Sequence, residues 1–132
     1  MYPKYEFCDW MPYEEKYWCH APGEPGVMET RDALTGEKLF DTRSKNLWKS
    51  FKRKDPKLNP GTPSEYEQQL VKSGGELEVR YAVTDSIKEA EDLKHCLIHK
   101  YKEEHDRLPY GQKLTPSQCP RGRSGGCTIC KE

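Results

Sequence analysis

Two regular hydrophobic patterns follow each other within residues 75–112. In the first, apolar side chains alternate with polar or small ones, which predicts a β-strand with one buried face; its apolar members are Leu77, Val79, Tyr81 and Val83. Ser86 and Glu89 have the spacing of a capping box, so a helix is predicted to begin there and to end at Leu108-Pro109. Its inward stripe is Ile87, Ala90, Leu93, Leu97, Ile98 and Tyr101, and its solvent face includes Asp92.

The chain before this unit predicts a hairpin and two short helices. Two extended runs, residues 27–31 and 38–42, flank a turn at Leu34-Thr35-Gly36. Ser44 is predicted to cap a helix whose inward residues are Leu47, Trp48 and Phe51. Prolines make residues 55–63 a loop, and Ser64 with Glu67 has the capping-box spacing of a second short helix.

These elements define one small domain with two appendages. Residues 1–22 are rich in aromatic side chains without a sustained period, so we expect an arm that packs across the domain. Residues 23–112 are predicted to form an α/β (α+β) domain, with a small three-stranded, mainly antiparallel sheet flanked by helices. Residues 113–132 have the Gly, Pro, Ser and Arg content of a flexible tail.

The composition narrows the class of protein. The chain has 132 residues, enough for one modest core, and its 22 basic residues balance 22 acidic ones. Any binding of nucleic acid must therefore come from a local basic patch. No apolar run of about 20 residues would span a bilayer, and the N-terminus lacks the apolar block of a signal peptide. We expect an intracellular protein, cytoplasmic or nuclear, that has no membrane partner.

Three segments, taken in order, resemble the GIY-YIG nuclease superfamily. Residues 21–40, APGEPGVMETRDALTGEKLF, are similar to the family's Pro-Gly-Val-Tyr lead-in to its first hairpin. Residues 43–51, RSKNLWKSF, are similar to the Ser-x-Asn-Leu segment that opens its first helix. Residues 90–112 are similar to its last helix, which has a Leu-Ile pair and a closing Leu-Pro-x-x-Asn segment. The resemblance implies a GIY-YIG fold for residues 22–112.

The resemblance also implies where the catalytic groups of a working nuclease would lie, and most of those positions hold other residues here. The tyrosine proposed as base or relay falls on Met28, and the second motif's tyrosine falls on Phe40. The arginine that would neutralise the scissile phosphate falls on Ser50. The metal-binding glutamate falls on Lys94, whose ammonium repels a divalent cation. The other departures are Thr42 for a glycine and Gln112 for an asparagine, while the scaffold glycine is kept as Gly26.

From these losses we expect a catalytically inactive GIY-YIG-like module, a pseudo-nuclease. A basic cluster lies on the helix that faces nucleic acid in the family's enzymes. We expect it to contact phosphates through Lys45, Lys49, Lys52, Arg53 and Lys54, joined by Lys94. The expected partner is nucleic acid or a nucleic-acid-processing protein.

Two alternatives remain open. The first is a protein–protein interaction module that uses the aromatic side chains of the N-terminal arm: Tyr5, Phe7, Trp10, Tyr13 and Trp18. The second is a divergent metal-dependent nuclease whose catalytic groups have moved to Tyr81, His95, Glu103 or Tyr110. Salt-dependent binding and metal-dependent cleavage distinguish the three hypotheses.

The cysteines and histidines give weaker signals. Cys119, Cys127 and Cys130 supply three of the four ligands of a structural zinc site in the tail, with Cys8, Cys19 or His20 as the fourth; the alternative is a reduced, flexible tail. His95 and His99 share a helix face, but no third ligand at matching spacing accompanies them, so we expect surface or boundary histidines. Cys96 is predicted to be a small buried side chain. Apart from zinc in the tail, we expect no cofactor.

Overall fold

The computed structural model of the chain describes residues 6–59 and 65–105, without the side chains at positions 65, 66, 99 and 103. Short strands and helices within these residues form one sheet covered by helices. In chain order they are β1 (Met11–Pro12), α1 (Glu15–Trp18), β2 (Gly26–Asp32), β3 (Lys38–Ser44), α2 (Leu47–Lys54), α3 (Glu65–Lys72), β4 (Leu77–Val83) and α4 (Ile87–His105).

The sheet is antiparallel throughout, and its strand order is β1-β4-β2-β3. Central strand β2 places Met28 opposite Thr42 of β3 on one side and opposite Tyr81 of β4 on the other. The α+β class is therefore confirmed, but the sheet has four strands where three were predicted. The additional strand, β1, pairs Met11 with Val79. A strand of two residues is too short to show a period in the sequence.

The predicted hairpin is confirmed in β2 and β3. Its turn is held by Asp32, whose Oδ1 accepts a hydrogen bond from Leu34 N at 2.8 Å. Gly36 adopts a left-handed φ of 75°, which a residue with a Cβ rarely adopts. The turn therefore has the polar residue and the glycine that its geometry requires.

Helices cover both faces of the sheet. Neighbouring residues of a strand point to opposite faces, so Met28 and Val27 mark the two cores. The larger core contains Tyr13, Trp18, Ala21, Met28, Leu39, Leu47, Phe51, Leu77 and Val79. The second lies under α4 and contains Val27, Ala82, Ala90 and Leu93. Strand β4 was predicted to have one buried face, but α4 buries Ala82 on the other face as well.

Helix α2 is capped by Asn46, so the prediction of Ser44 as its cap is wrong. Asn46 Oδ1 accepts a hydrogen bond from Lys49 N at 3.0 Å. Ser44 is the last residue of β3, and its hydroxyl accepts a hydrogen bond from Asn46 N at 3.0 Å. The inward positions Leu47 and Phe51 are buried, as predicted.

Helix α4 begins at the predicted capping box. Ser86 Oγ accepts a hydrogen bond from Glu89 N at 3.1 Å, and the Glu89 carboxylate accepts one from Asp85 N at 3.0 Å. The two bonds satisfy backbone donors that the first turn leaves free. Neither α4 nor another helix in the described part of the chain is long and apolar enough to cross a membrane.

One residue on the predicted solvent face of α4 is buried. The side chain of Asp92 is only 2% exposed, and Lys88 Nζ pairs with its Oδ1 at 3.1 Å. The ion pair compensates a carboxylate that helical periodicity alone places at the surface. The predicted burial of Cys96 is confirmed.

The aromatic side chains of the N-terminal arm belong largely to the core. The Tyr13 hydroxyl donates a hydrogen bond to Phe51 O at 2.9 Å, and Trp18 Nε1 donates one to Asp55 Oδ2 at 2.8 Å. Tyr13 and Trp18 are 5% and 0% exposed. Trp10 lies instead on the sheet, with the Arg31 guanidinium 4.3 Å from its ring centroid.

Two acidic side chains are buried in the sheet beside α4. Glu29 of β2 and Asp41 of β3 face each other across the strands. Lys38 Nζ lies 2.7 Å from Glu29 Oε2 and 2.8 Å from Asp41 Oδ2, and Arg80 Nε lies 2.6 Å from Glu29 Oε1. Burial opposes ionisation, but Lys38 holds the pKa of Glu29 low, at about 2. Burial and the Glu29 charge raise the pKa of Asp41 well above its usual value. Within the pair, Glu29 therefore ionises more readily and Asp41 holds its proton to higher pH.

Candidate functional site

A cleft of about 610 Å³ lies beside strand β3, between helices α2 and α4. Six of its lining residues are cations, and none is Asp or Glu. The lining residues are Phe40, Thr42, Arg43, Ser44, Lys45, Asn46, Lys49, Ser50, Arg53, Lys54 and Lys94. We call this the basic cleft.

One face of α2 supplies about half of the basic cleft. Its lining positions fall at i, i+3, i+4, i+7 and i+8, which is the spacing of a single helical face: Asn46, Lys49, Ser50, Arg53 and Lys54. Another face of the helix buries Leu47 and Phe51 in the larger core. The periodicity that packs α2 on the sheet therefore also directs its polar face into the cleft.

The wall beneath the cations is part hydroxyl and part aromatic. Ser44 Oγ and Ser50 Oγ are 2.5 Å apart, where either donates to the other, and both side chains are buried. Lys54 Nζ lies 5.6 Å from the centroid of the Phe40 ring, within the range of a cation–π contact. The half-buried ammonium of Lys54 thus packs on an aromatic surface.

The environment of Lys54 disfavours its charged form. Burial lowers the pKa of Lys54, and the positive charges of Arg53 and Lys94 lower it further, while the Glu67 carboxylate acts in the opposite direction. Glu67 is itself buried and accepts a hydrogen bond from the Thr30 hydroxyl. Burial is therefore the main effect on Lys54, and two like charges act on it together with one carboxylate.

The charged form of Lys94, on helix α4, is also disfavoured. Burial lowers its pKa, and the charge of Arg43 adds to the effect, against the opposing carboxylates of Asp41 and Glu91. Glu91 is engaged with Arg43, whose Nε lies 3.5 Å from its Oε2. Bringing an anion into the basic cleft would relieve the repulsion among these cations.

Most of the predicted nucleic-acid contacts lie in this cleft. Lys45, Lys49, Arg53, Lys54 and Lys94 line it, whereas Lys52 does not. Lys52 lies on another side of α2, where its Nζ is 5.3 Å from the centroid of the Trp48 ring. Helical periodicity separates it from its neighbours in sequence.

The positions at which the resemblance places nuclease catalytic groups come together only in part. Phe40, Ser50 and Lys94 meet in the basic cleft. Met28 is 2% exposed in the larger core, and Gln112 lies outside the described residues. At the three positions that meet there, the cleft presents a ring, a hydroxyl and an ammonium.

Sequence reasoning missed several lining residues. Thr42 and Ser44 alternate with Arg43 at the end of β3, and Asn46 begins the lining face of α2. The period-two pattern of β3 indicates that Phe40, Thr42 and Ser44 share a face. Nothing in the sequence indicates Arg43, because α4, which packs beside it, is distant in the chain.

The relocated catalytic groups of the alternative nuclease do not gather at the cleft. Tyr81 packs edge-on against Phe51, with 5.9 Å between the ring centroids. His95 does not line the cleft. Tyr110 lies outside the described residues, as do the candidate zinc ligands Cys119, Cys127 and Cys130, and the side chain of Glu103 is not described. Within residues 6–59 and 65–105, no three His, Cys, Asp or Glu side chains are grouped to hold a metal ion.

An antiparallel sheet with this order and these covering helices is the GIY-YIG fold. The chain is similar to the solved GIY-YIG N-terminal endonuclease domain of UvrC from Thermotoga maritima, bound to its catalytic magnesium ion. The two share 24% sequence identity with a TM-score of 0.55, over 75% of this chain and 94% of that domain. No protein-family model and no curated protein match the sequence.

The basic cleft does not fit a divalent cation such as magnesium. Hard divalent cations are held by oxygen ligands, chiefly carboxylates. The lining contains no Asp or Glu, and Lys94 stands where the resemblance places the metal-binding glutamate. The donor set of the cleft is suited to an anion.

Proposed function

We propose that this chain is a nucleic-acid-binding module with the GIY-YIG fold that does not hydrolyse phosphodiesters, and that the basic cleft is its binding surface. The observation that carries the proposal is the lining itself, with six cations and no carboxylate in one cleft of about 610 Å³. In a chain of zero net charge, such a local concentration needs a cause. Phosphates of nucleic acid supply the complementary charge.

The arrangement of the cations favours contacts with a phosphate backbone. Arg43 and Lys94 reach the cleft from the side of β3 and α4, whereas Lys49, Arg53 and Lys54 come from α2. A strand in the cleft would therefore be held from two sides by contacts that do not depend on base sequence. The Ser44 and Ser50 hydroxyls add neutral hydrogen-bonding groups between them.

The proposal of an inactive nuclease rests on the chemistry of three positions. Met28 has no exchangeable proton, Ser50 has no positive charge, and Lys94 repels a metal ion. Hydrolysis would need a base and a metal ion or an equivalent clamp at the phosphate. A nuclease assay with magnesium or manganese on single-stranded, duplex and branched DNA tests this directly. Cleavage that copurifies with the protein would favour the divergent nuclease.

The arm-mediated protein module has less support. Tyr13 and Trp18 are buried, and Trp10 is covered by the guanidinium of Arg31, with that of Arg80 4.5 Å from its ring. Tyr17, at 39%, is the one aromatic side chain among the described residues with a large exposed fraction. A contact surface built from the arm would have to unpack the core.

The test is a salt titration of binding to labelled single-stranded and duplex DNA and RNA. We expect affinity to fall linearly with the logarithm of salt concentration. Neutralising Lys49, Arg53 and Lys94 together to Gln should weaken binding and reduce the slope by about 2.7, at about 0.9 for each lost duplex contact. The matched control neutralises three exposed lysines outside the cleft, Lys16→Gln, Lys72→Gln and Lys102→Gln, with the same change in net charge.

Two results would overturn the proposal. One is absence of binding to every nucleic acid at about 50 mM salt, where phosphate contacts are strong. The other is an equal loss in the cleft variant and its control, because net charge and not the cleft would then govern binding. Binding that is indifferent to salt and is lost on Trp10→Ala would support the protein-interaction alternative.

A further inference from the structure

Lys54 combines three properties that are uncommon for a surface lysine. Its ammonium is half-buried against the Phe40 ring, 5.6 Å from the centroid. It opens into a cleft whose volume, about 610 Å³, is that of a small-molecule site. Within the described residues no carboxylate pairs with its Nζ at ion-pair distance, although Lys38, Lys57, Lys88 and Lys100 all have such a partner.

The charges around Lys54 come from three elements and are mostly positive. Arg53 of α2 and Lys94 of α4 disfavour a third positive charge, while Glu67 of α3 favours one. Burial is the largest effect, and the net result lowers the pKa of Lys54 below the usual 10.5. A larger share of its amine is therefore unprotonated at neutral pH than in an exposed lysine, and the free amine is the nucleophile of carbonyl chemistry.

We propose that Lys54 is a Schiff-base nucleophile, and that the basic cleft takes a nucleic-acid strand with an abasic sugar and breaks it by β-elimination. The inference rests on the proposed function, because the strand must first bind in the cleft. It differs from the hydrolysis that the cleft lacks groups to perform, since neither a metal ion nor an activated water attacks phosphorus.

The substrate follows from the chemistry of the site. An intact nucleotide offers no carbonyl carbon to an amine at its sugar, but a sugar that has lost its base opens to an aldehyde at C1′. Without the base, the sugar lies against the Phe40 wall within reach of Lys54 Nζ. Arg43, Lys49 and Arg53 can hold the phosphates on either side of it.

The reaction balances without an oxidant or a reductant. The neutral Nζ adds to C1′, and loss of one water with uptake of one proton from solvent gives a protonated imine. Solvent takes a proton from C2′, the electron pair left behind forms a C2′–C3′ double bond, and the C3′–O bond breaks with the phosphate leaving as an anion. Hydrolysis of the imine restores Lys54 and releases an unsaturated aldehyde on the upstream strand.

The test uses the full chain and DNA with one abasic site, made by excising a single uracil, in single-stranded and duplex form. Cyanoborohydride reduces an imine to a stable amine, so we expect a covalent protein–DNA adduct that peptide mass spectrometry maps to Lys54. Lys54→Arg keeps the charge but has no nucleophilic amine, so at saturating DNA it should lose the adduct and strand scission. Lys88→Arg is the matched control, because Lys88 lies outside the cleft and pairs with Asp92.

The outcomes separate this inference from the proposed function. Binding of intact and abasic DNA without an adduct overturns the Schiff-base role and leaves the binding module standing. An adduct that maps to another lysine, or that persists in Lys54→Arg, also overturns it. Failure to bind either DNA overturns both.

A second measurement tests the influence of Lys94 on Lys54. Lys94→Gln removes a like charge, which raises the pKa of Lys54 and reduces the free amine at a given pH. At saturating DNA, the rise of trapping rate with pH should therefore move to higher pH in this variant. An unchanged pH profile would show that Lys94 does not activate Lys54.

Discussion

Replacing Lys38 by Met removes the cation that joins two buried carboxyl groups under helix α4. Lys38 Nζ lies 2.7 and 2.8 Å from carboxylate oxygens of Glu29 and Asp41, which are 1% and 0% exposed. Breaking such a buried pair costs about 3–5 kcal/mol, because the remaining charge is left uncompensated. We expect a value near the lower limit, since Arg80 still pairs with Glu29 at 2.6 Å.

That loss is large for a chain of 132 residues, because domains of this kind are stable by only about 5–15 kcal/mol. Urea unfolding at pH 7, followed by tryptophan fluorescence and circular dichroism, measures the change in the free energy of unfolding. Lys57→Met is the matched control, because the pair between Lys57 and Glu14, at 3.6 Å, is largely exposed and contributes about 1 kcal/mol or less.

A cost for Lys38→Met no greater than that for Lys57→Met would refute the reasoning. So would failure of Glu29→Gln to recover stability in the Lys38→Met background. The second change removes a buried charge that has lost one of its two cations, and it should return part of the loss if desolvation of Glu29 is the cause.

Three further predictions concern buried groups. Burial raises the pKa of Asp41, so the folded state holds its proton more tightly than the unfolded state. The stability that this group contributes is therefore present at low pH and is lost as pH rises from about 4. Over the same rise in pH, Asp41→Asn should gain stability relative to wild type, as measured by urea unfolding. Trp18→Phe removes the 2.8 Å hydrogen bond to buried Asp55 and should cost about 1–3 kcal/mol by the same assay, and an unchanged midpoint would contradict it. A Cβ at Gly26 would lie 2.2 Å from Ala82 O, so Gly26→Ala should lower the stability by about 3 kcal/mol in thermal unfolding, whereas a change near zero would mean that β2 and β4 separate easily.

Local patterns in the sequence predicted the framework of the fold. The alternation in β4 and the Ser86 capping box depend on neighbouring residues, and both are present in the structure. The cap of α2 was misassigned because Ser44 and Asn46 are both good capping residues, and only the end of β3 decides between them.

The burial of Glu29 and Asp41 could not be predicted from the sequence. Glu29 and Asp41 occupy alternate strand positions that look solvent-facing until α4 covers them. Their pairing through Lys38 depends on the register of the hairpin. A polar residue in a strand therefore does not by itself identify the solvent-exposed face, because a helix packed on that face can bury it.

The sequence predicted the part of the basic cleft that α2 contributes, but not all of the part that β3 and α4 contribute. The cations of α2 were evident as a cluster, and the spacing of Lys49, Arg53 and Lys54 from Asn46 could have separated them from Lys52. The contribution of α4 is a tertiary effect, and the resemblance alone pointed to Lys94. Arg43 could be assigned only from the structure.

The position of the basic cleft also bears on the solubility of the protein. Strand β3 ends the sheet order, and within the described residues no further strand pairs with its outer side. An open strand edge is a template on which a strand from another molecule can add. The ammonium and guanidinium groups of Arg43, Lys54 and Lys94 stand along that edge, where docking of a second copy would bring like charges together. Variants that neutralise the cleft therefore lose a barrier to self-association along with their anion-binding groups.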